Sequence, residues 1–554
     1  MVLDSPIEPR GDDRGQTERR LRRLTFGFIV IAAAAGAAQA WFARFAMNPD
    51  GIQYLDNATA WVTGDWHNAL NSLWSPLYPW LIAGMFRIAR PSPFQEFPLV
   101  HLLNFLIYLL SLAAFLFFLS CVARRVERGS HQMYVLLFAC SSFLYCSLDL
   151  ATLSYVTPDA LVSLFAFLTA GLLLRLTGDG AGWSHALALG IVLGLGYLAK
   201  SPFLIFALAA LLIAGVLRRR RLSRIVLTVL AFVAIAGPYV WALSKTKGRF
   251  TFGDSGKLNV LWHVDGIPFY NWQGGPVDVG VPAHATHQLS LDPNLYEFAG
   301  PIYGTYPPWY DPSYWYEGAR VPFRPTEIAR VIWRGLGVYA YLVHHRQLAL
   351  LFAALVLFVL AGARRALAEI SKFWPVLLFG ALPFAMYALI HAEGRYLAPF
   401  FVLLWTGLFA GVLNALPDSA GRRAVLAISV VTALLMVVEA VTALRPEKPI
   451  GPHYAVAQSL QELGLKPGDR VAIVSGDLDY YWARLDQARI TMQIDFSDSL
   501  CRSCTRLSEQ WGRVKQLVGT SGVTFVVAPC LPGVVDQPGW RKLDDTGTFA
   551  YRVR

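Results

Sequence analysis

The feature that most constrains this chain is a series of apolar blocks, each about 17–25 residues long, separated by short charged or Pro/Gly-rich breaks. A block of that length crosses a hydrocarbon core of about 30 Å as a helix. Helix is the form it must take there, because in lipid every backbone N–H and C=O needs a partner within the segment. Composition agrees: 55% of residues are hydrophobic and 15% charged, against about 25% charged in a soluble domain. The chain therefore reads as a polytopic α-helical membrane protein. Its net charge of +11 over 554 residues does not point to nucleic acid. The arginines fall in short clusters between the apolar blocks, which is the positive-inside pattern.

Those clusters set the expected topology. Basic runs at 19–23, 124–128, 218–224, 364–372 and 422–423 belong on the cytoplasmic side. Spanning helices near 24–46, 98–120, 131–148, 159–176, 184–199, 201–217, 225–243, 338–361, 373–390, 396–415 and 424–444 place all of them there, about eleven in number by the length rule. If 75–89 also crossed, every later cluster would land outside. It is expected instead at the outer interface, a depth that suits Trp74, Tyr78 and Trp80.

The expected organisation is a cytoplasmic tail at 1–23, a transmembrane domain at 24–444 with external loops at about 47–97 and 244–337, and an extracytoplasmic domain at 445–554. The last has strand-like runs at 470–474 and 523–528 and amphipathic helices at 454–463 and 508–518, so a small α/β unit is expected. The first apolar block closes on Ala38-Gln39-Ala40, like a signal-peptide cleavage site. Apolar character continues to Phe45, which favours an uncleaved first helix in the plasma (inner) membrane of a cell envelope.

The chemistry is expected in the outer loops. Asp50 lies just past the outer end of the first helix, where a carboxylate can meet a substrate at the membrane surface. The alternative is that Asp50 N-caps the helix that follows it. Here the residues resemble a family. Asp50 after the first helix, Tyr54 four residues on, Gly64-Asp65-Trp66 and the interfacial Pro76-Leu77-Tyr78 are similar to the GT-C superfamily. The bacterial enzymes related to protein O-mannosyltransferases and aminoarabinose transferases are closest in pattern, and the resemblance covers about 24–415.

The resemblance implies a transferase that moves a sugar from a polyprenyl-phosphate donor to a hydroxyl of a glycan, lipid or protein acceptor. Asp50 stands at the position of the family's catalytic aspartate. Asp159, after Thr157 and Pro158, and Asp149 match the acidic second outer loop; for Asp159 the alternative is helix capping. Gly194 to Lys200 is similar to a Gly-x-x-x-Lys segment, so Lys200 is expected to meet the donor phosphate or simply to snorkel. The segment His391, Glu393, Arg395, Tyr396 to Pro399 is similar to an Arg-Tyr-Leu-x-Pro motif. An external Arg395 runs against the charge trend. Its planar fork suits phosphate, or it braces the loop by pairing with Glu393.

Other signals are weaker. The aromatic run Trp309 to Trp315 suits either stacking on sugars or an interfacial belt. His284 and His287 have no carboxylate spaced with them as a metal site needs, so a divalent metal has no support and no cofactor is implied. Cys501 and Cys504 lack a second pair for zinc; a disulfide between them, or to Cys530, suits an oxidising exterior. The rival class is a transporter, flippase or binding protein for lipid-linked sugars. Such proteins carry charges near the middle of helices, whereas the candidates here sit at outer ends and in loops.

Overall fold

The computed structural model describes residues 11–127, 129–178, 182–217, 221–298, 303–417, 421–444, 451–474, 478–495, 500–529, 538–543 and 547–553. The first half runs α1 (Gly11–Phe42), α2 (Pro49–Thr63), α3 (Trp66–Ala69), α4 (Leu77–Ala89), α5 (Pro93–Ala123), α6 (Gly129–Tyr145), α7 (Asp159–Leu176), α8 (Trp183–Ala199), α9 (Phe203–Leu217) and α10 (Leu222–Lys247). The long loop holds α11 (Ser255–His263), β1 (His287–Leu291), β2 (Asn294–Glu297), α12 (Pro307–Tyr310) and α13 (Pro312–Trp315). Then come α14 (Pro325–Arg346), α15 (Leu348–Ala361), α16 (Ala363–Ser371), α17 (Trp374–Ala388), α18 (Gly394–Ala415) and α19 (Arg422–Thr442). The tail is α20 (Pro452–Glu462), β3 (Arg470–Val474), α21 (Tyr481–Leu485), β4 (Arg489–Asp495), α22 (Leu500–Thr520), β5 (Phe525–Ala528), β6 (Trp540–Leu543) and β7 (Thr548–Arg552).

Among the described residues seven helices are long and apolar enough to cross a membrane, and two bent pairs raise the number to nine. The expected spans at 184–199 and 201–217 are α8 and α9, of 17 and 15 residues. At 1.5 Å per residue they rise only about 25 and 22 Å. The expected single helix at 338–361 is broken, α14 and α15 meeting at 83°; α16 and α17, the latter close to the expected 373–390, form a second bent pair at 87°. The first break falls at Gln347, whose buried side chain accepts a hydrogen bond from Trp405 Nε1 of α18 at 2.6 Å. At Gln347 the backbone leaves the helical region (φ −132°, ψ 19°). α4 has 13 residues, about 20 Å, and packs on α2.

Small residues let these helices approach. A Cβ added to Gly190 of α8 would run into the Thr228 carbonyl of α10, and one on Gly411 of α18 into the Ile370 backbone of α16. Close backbone contact of this kind replaces hydrophobic drive between helices in lipid.

The two ends of the bundle differ. At one end Arg125 donates to Leu174 O at 2.6 Å, and Asn414 Nδ2 donates to Arg125 O at 3.0 Å. The basic residues that open α10 and α19 belong to this end by chain direction. At the other end Gln39 donates to Leu148 O at 2.7 Å, and His101 lies between Ala46 O (2.9 Å) and Leu153 O (3.0 Å). There too Asn48 Oδ1 accepts from Val156 N at 2.7 Å. The long loop and the tail gather at this second end.

The tail is not closed on itself. One seven-stranded sheet has the order β1-β2-β4-β3-β5-β7-β6, so the long loop supplies two of its strands. β2 pairs antiparallel with β4, with Leu295 opposite Ile494. Alternation along β3 sends Val471 and Ile473 to the core shared with α20, and Ala472 and Val474 to the core shared with α22. The side chains of Cys501 and Cys504, and all of Cys530, lie outside the described residues, as do any bonds between them.

Candidate active site

α2 starts one residue before Asp50. Pro49 takes the first position, where its missing N–H costs nothing. Asn48 is the N-cap residue, but its side chain is committed to Val156 rather than to its own helix. Asp50 is thus inside the first turn and does not cap α2, which overturns the capping alternative. Its charge still lies favourably at the helix N-terminus. Spacing of four places Tyr54 on the same face. That face lines a cavity of about 380 Å³ shared with Thr157, Lys200, His391, Glu393, Arg395 and Tyr396.

The charged groups form one connected cluster. Arg395 Nη1 lies 3.6 Å from Asp50 and 3.8 Å from Asp159. Lys200 Nζ donates to Asp159 Oδ1 at 2.6 Å and stands over the Tyr396 ring at 4.2 Å. Thr157 Oγ1 donates to Asp159 Oδ2 at 2.8 Å. Arg395 Nε donates to Glu393, whose other oxygen is 2.9 Å from His391 Nε2. Asp159 is the first residue of α7 and does not cap it through its side chain. Both expected phosphate ligands therefore hold carboxylates. Lys200 is paired, not snorkelling, and Arg395 does make the Glu393 brace. Its Nη2 donates to the Tyr396 hydroxyl at 3.0 Å, and its Nη1 contacts, at 3.6 and 3.8 Å, are ion pairs too long for hydrogen bonds, so among the described residues the Nη1 edge makes no hydrogen bond.

Environment tunes these groups. Burial raises the Asp50 carboxyl above the ordinary carboxylate value, against the opposing pull of Arg395 and Lys200. Burial also raises Glu393, but the hydrogen bond from His391 and the charge of Arg395 outweigh it and hold that carboxyl down at about 2. The Tyr54 phenol is pushed up by burial and by the neighbouring Asp50 charge. The arrangement can accept a proton at Asp50 and hold an anion beside Lys200 and Arg395.

Two expected residues are elsewhere. Tyr78 is fully buried; its hydroxyl donates to Asn104 at 2.6 Å and its ring meets the Tyr54 ring edge-on at 5.1 Å. It supports Tyr54 without lining the cavity. Asp149 is not brought to the cavity. It sits in a π-helical turn, Cys146–Leu150, and faces Arg346 at 3.9 Å. The widened turn shifts its side chain off the face that an unbroken α-helix would present.

Sequence reasoning missed α11. Ser255, Asn259, Trp262 and His263 line the cavity wall with Phe269 and Trp309. The only signal for α11 was a short helical spacing inside an aromatic-rich loop. His284 and His287 pair with Glu317 (2.9 Å) and Glu297 (3.6 Å) respectively. Among the described residues no group of three or more His, Cys, Asp and Glu side chains is placed to hold a metal ion.

Residues 74–241 match the family model described as dolichyl-phosphate-mannose-protein mannosyltransferase. ArnT from Cupriavidus metallidurans in the apo state superposes with a TM-score of 0.54 at 13% identity, over 96% of this chain and 98% of that one. The same protein bound to undecaprenyl phosphate gives 0.53 at 12%, over 95% and 98%. This chain has the GT-C fold and resembles the ArnT and PMT membrane glycosyltransferases. Among curated protein sequences none matches significantly. In this GT-C frame the family match begins at Trp74, beyond Asp50, and ends before the His391 to Tyr396 segment. It thus includes Asp159 and Lys200, while the remaining cluster residues rest on the geometry.

Proposed function

We propose that this protein transfers a sugar from a polyprenyl-phosphate donor to an acceptor hydroxyl on the outer face of the membrane, with inversion at the anomeric carbon. The observation that carries the reading is one cavity wall on which Asp50, Lys200 and Arg395 meet, Arg395 Nη1 standing 3.6 Å from the Asp50 carboxylate. The departing group is a lipid phosphate, already stable as an anion. The enzyme must then remove the hydroxyl proton and neutralise the departing charge.

Asp50 takes the proton as the acceptor oxygen bonds to the anomeric carbon and the bond from that carbon to the phosphate oxygen breaks. Lys200 and the Nη1 edge of Arg395 hold the phosphate as its charge grows. Desolvation that lifts the Asp50 pKa makes it a better base. One displacement from the face opposite the phosphate inverts the centre. Polyprenyl phosphate leaves, and Asp50 returns its proton to solvent.

The difference between the two ends of the bundle supports an orientation. The basic clusters lie at the end opposite the cavity, which supports a cytoplasmic N-terminus, eleven traverses and an extracytoplasmic tail sheet. In this scheme α8, α9, α15 and α17 cross with neighbours shielding them, while α4, α14 and α16 lie near the interfaces. The test is to incubate the purified protein with a panel of polyprenyl-phosphate sugars and acceptors. Release of polyprenyl phosphate coupled to glycoside formation supports the reading. Donor that crosses a proteoliposome membrane uncleaved overturns it in favour of transport.

A further inference from the structure

We infer that the α11 face of the cavity is its sugar-reading half and that it takes an uncharged sugar; this deepens, and rests on, the transfer reading above. The charges of the cavity are segregated. Asp50, Lys200, His391, Glu393 and Arg395 come from α2, the residue that follows α8, and the segment that leads into and opens α18. α11 with Phe269 and Trp309 contributes no acid, lysine or arginine to the lining.

α11 is held firmly enough to read a ligand. Leu258 and Leu261 are buried in the core behind it, at 1% and 0% exposure. Its N-terminus is anchored where Asp254 N donates to Ser72 O at 2.8 Å and Arg249 donates to the Asp254 carboxylate at 2.6 Å. At about 100° per residue, Ser255, Asn259, Trp262 and His263 fall within an arc of about 100°, turned by about 120° from the two leucines.

That arc suits sugar hydroxyls. Asn259 Nδ2 donates to Ser255 O at 2.8 Å, so its Oδ1 is left to accept, and the Ser255 hydroxyl can both give and receive. Below them the rings of Trp262 and Trp309 lie 5.5 Å apart at 31°, with Phe269 at 5.3 Å from Trp262. Such a floor packs against the C–H face of a sugar ring. His263 stacks on His391 at 4.0 Å, which joins this half to the charged half. Burial and the neighbouring His391 hold its pKa down at about 4, so it stays neutral at working pH. Among the described residues this half offers an ammonium or carboxylate on the sugar no acid, lysine or arginine of its own to pair with, and an unpaired buried charge is costly.

The experiment uses the full chain and undecaprenyl phosphate, bare or carrying a neutral hexose, a hexuronate or an amino sugar. Wild type should bind and use the neutral-hexose donor in preference to both charged ones. Asn259→Ala should weaken neutral-hexose donor binding about 3–10-fold, the range of one lost hydrogen bond, and leave bare undecaprenyl phosphate binding unchanged. Trp262→Leu should behave in the same way. Equal binding of charged and neutral donors, or equal loss of bare undecaprenyl phosphate in Asn259→Ala, overturns the inference. If wild type cleaves no donor yet Asn259→Ala still selectively weakens neutral-sugar binding, the sugar-reading half stands and the transfer reading falls.

Discussion

Arg484, at the end of α21, grips Glu96 of α5 with two parallel hydrogen bonds of 2.8 and 2.9 Å. The same guanidinium donates to Asp56 at 2.8 Å and to Thr59 at 2.8 Å, both on α2. Asp56 also accepts from Thr305 N at 2.7 Å and Thr305 Oγ1 at 2.9 Å. One buried arginine thus ties the tail, the long loop and the start of α5 to the helix that carries Asp50. Two carboxylates share its charge. Removing it alone strands both, which costs about 3–5 kcal/mol for a buried pair. Arg484→Met should lower the thermal midpoint in detergent strongly. Arg484→Met combined with Asp56→Asn and Glu96→Gln should recover most of it, because the neutral set strands no charge. Equal loss in the single and triple variants would show that the network is not electrostatic.

Asp50→Asn should cut transfer about 10²–10⁴-fold, the usual contribution of a general base, with bare undecaprenyl phosphate binding kept. Since Asp50 lies inside the first turn of α2 and not at its N-cap position, Asp50→Ala should fold equally well and be equally inactive. Activity in Asp50→Asn would move the base elsewhere, with Asp159 and Glu393 the remaining carboxylates in the cluster. In the wild type the acid limb of kcat/KM should fall at a pH above the ordinary carboxylate value of 3.8, because burial raises the Asp50 pKa and only the ionised form accepts a proton. An acid limb at or below 3.8 would remove Asp50 as the titrating base.

Much of this cluster was legible in the sequence because it breaks a rule. Lys200 and Arg395 are cations at the end of the bundle where the charge trend forbids them, and each turned out to face a carboxylate. Helix ends were legible within a few residues wherever a long apolar run met a Pro or a charge, as at Pro93 and Lys247. The Arg484 network was not, because Asp56 and Glu96 lie hundreds of positions from their partner and no local pattern joins them. α11 was hidden by its length, nine residues without an amphipathic repeat long enough to register. Asp149 misled because a π-turn leaves no clear mark in composition.

Asp486 gives a pH signature in stability. Burial raises its carboxyl from 3.8 to about 7, against a hydrogen bond from Gln461. Between those values the native state holds a proton that the unfolded chain releases, so stability falls as pH rises through the window and the loss is complete above about 7. Asp486→Asn keeps the Gln461 contact and removes the ionisation. Its thermal midpoint should exceed wild type by a margin that grows from pH 4 to pH 7 and then levels. A margin independent of pH would show that Asp486 is not the titrating group.

Topology can be read with single cysteines. Val277 in the long loop is 95% exposed, and Glu462 and Arg423 are exposed on the tail and at the start of α19. A membrane-impermeant maleimide applied outside intact cells should label Val277→Cys and Glu462→Cys and spare Arg423→Cys. The reverse pattern would invert the orientation.

The sharpest test separates the two roles open to Lys200. It neutralises Asp159 at 2.6 Å, and it is proposed to hold the donor phosphate. Lys200→Ala should raise donor KM under either role, since losing the ammonium also strands a nearly buried carboxylate. Asp159→Asn removes that carboxylate and frees the lysine, so phosphate binding should be kept or strengthened. The double variant decides. If Lys200 only balances Asp159, Lys200→Ala with Asp159→Asn strands nothing and donor KM returns toward wild type. If Lys200 binds phosphate, the double variant stays as weak as Lys200→Ala, and its affinity for bare undecaprenyl phosphate stays low as well. Non-additivity of this kind is what a double-mutant cycle on touching residues measures. Restored affinity in the double variant would leave Arg395 as the phosphate ligand and reduce Lys200 to a structural counter-ion.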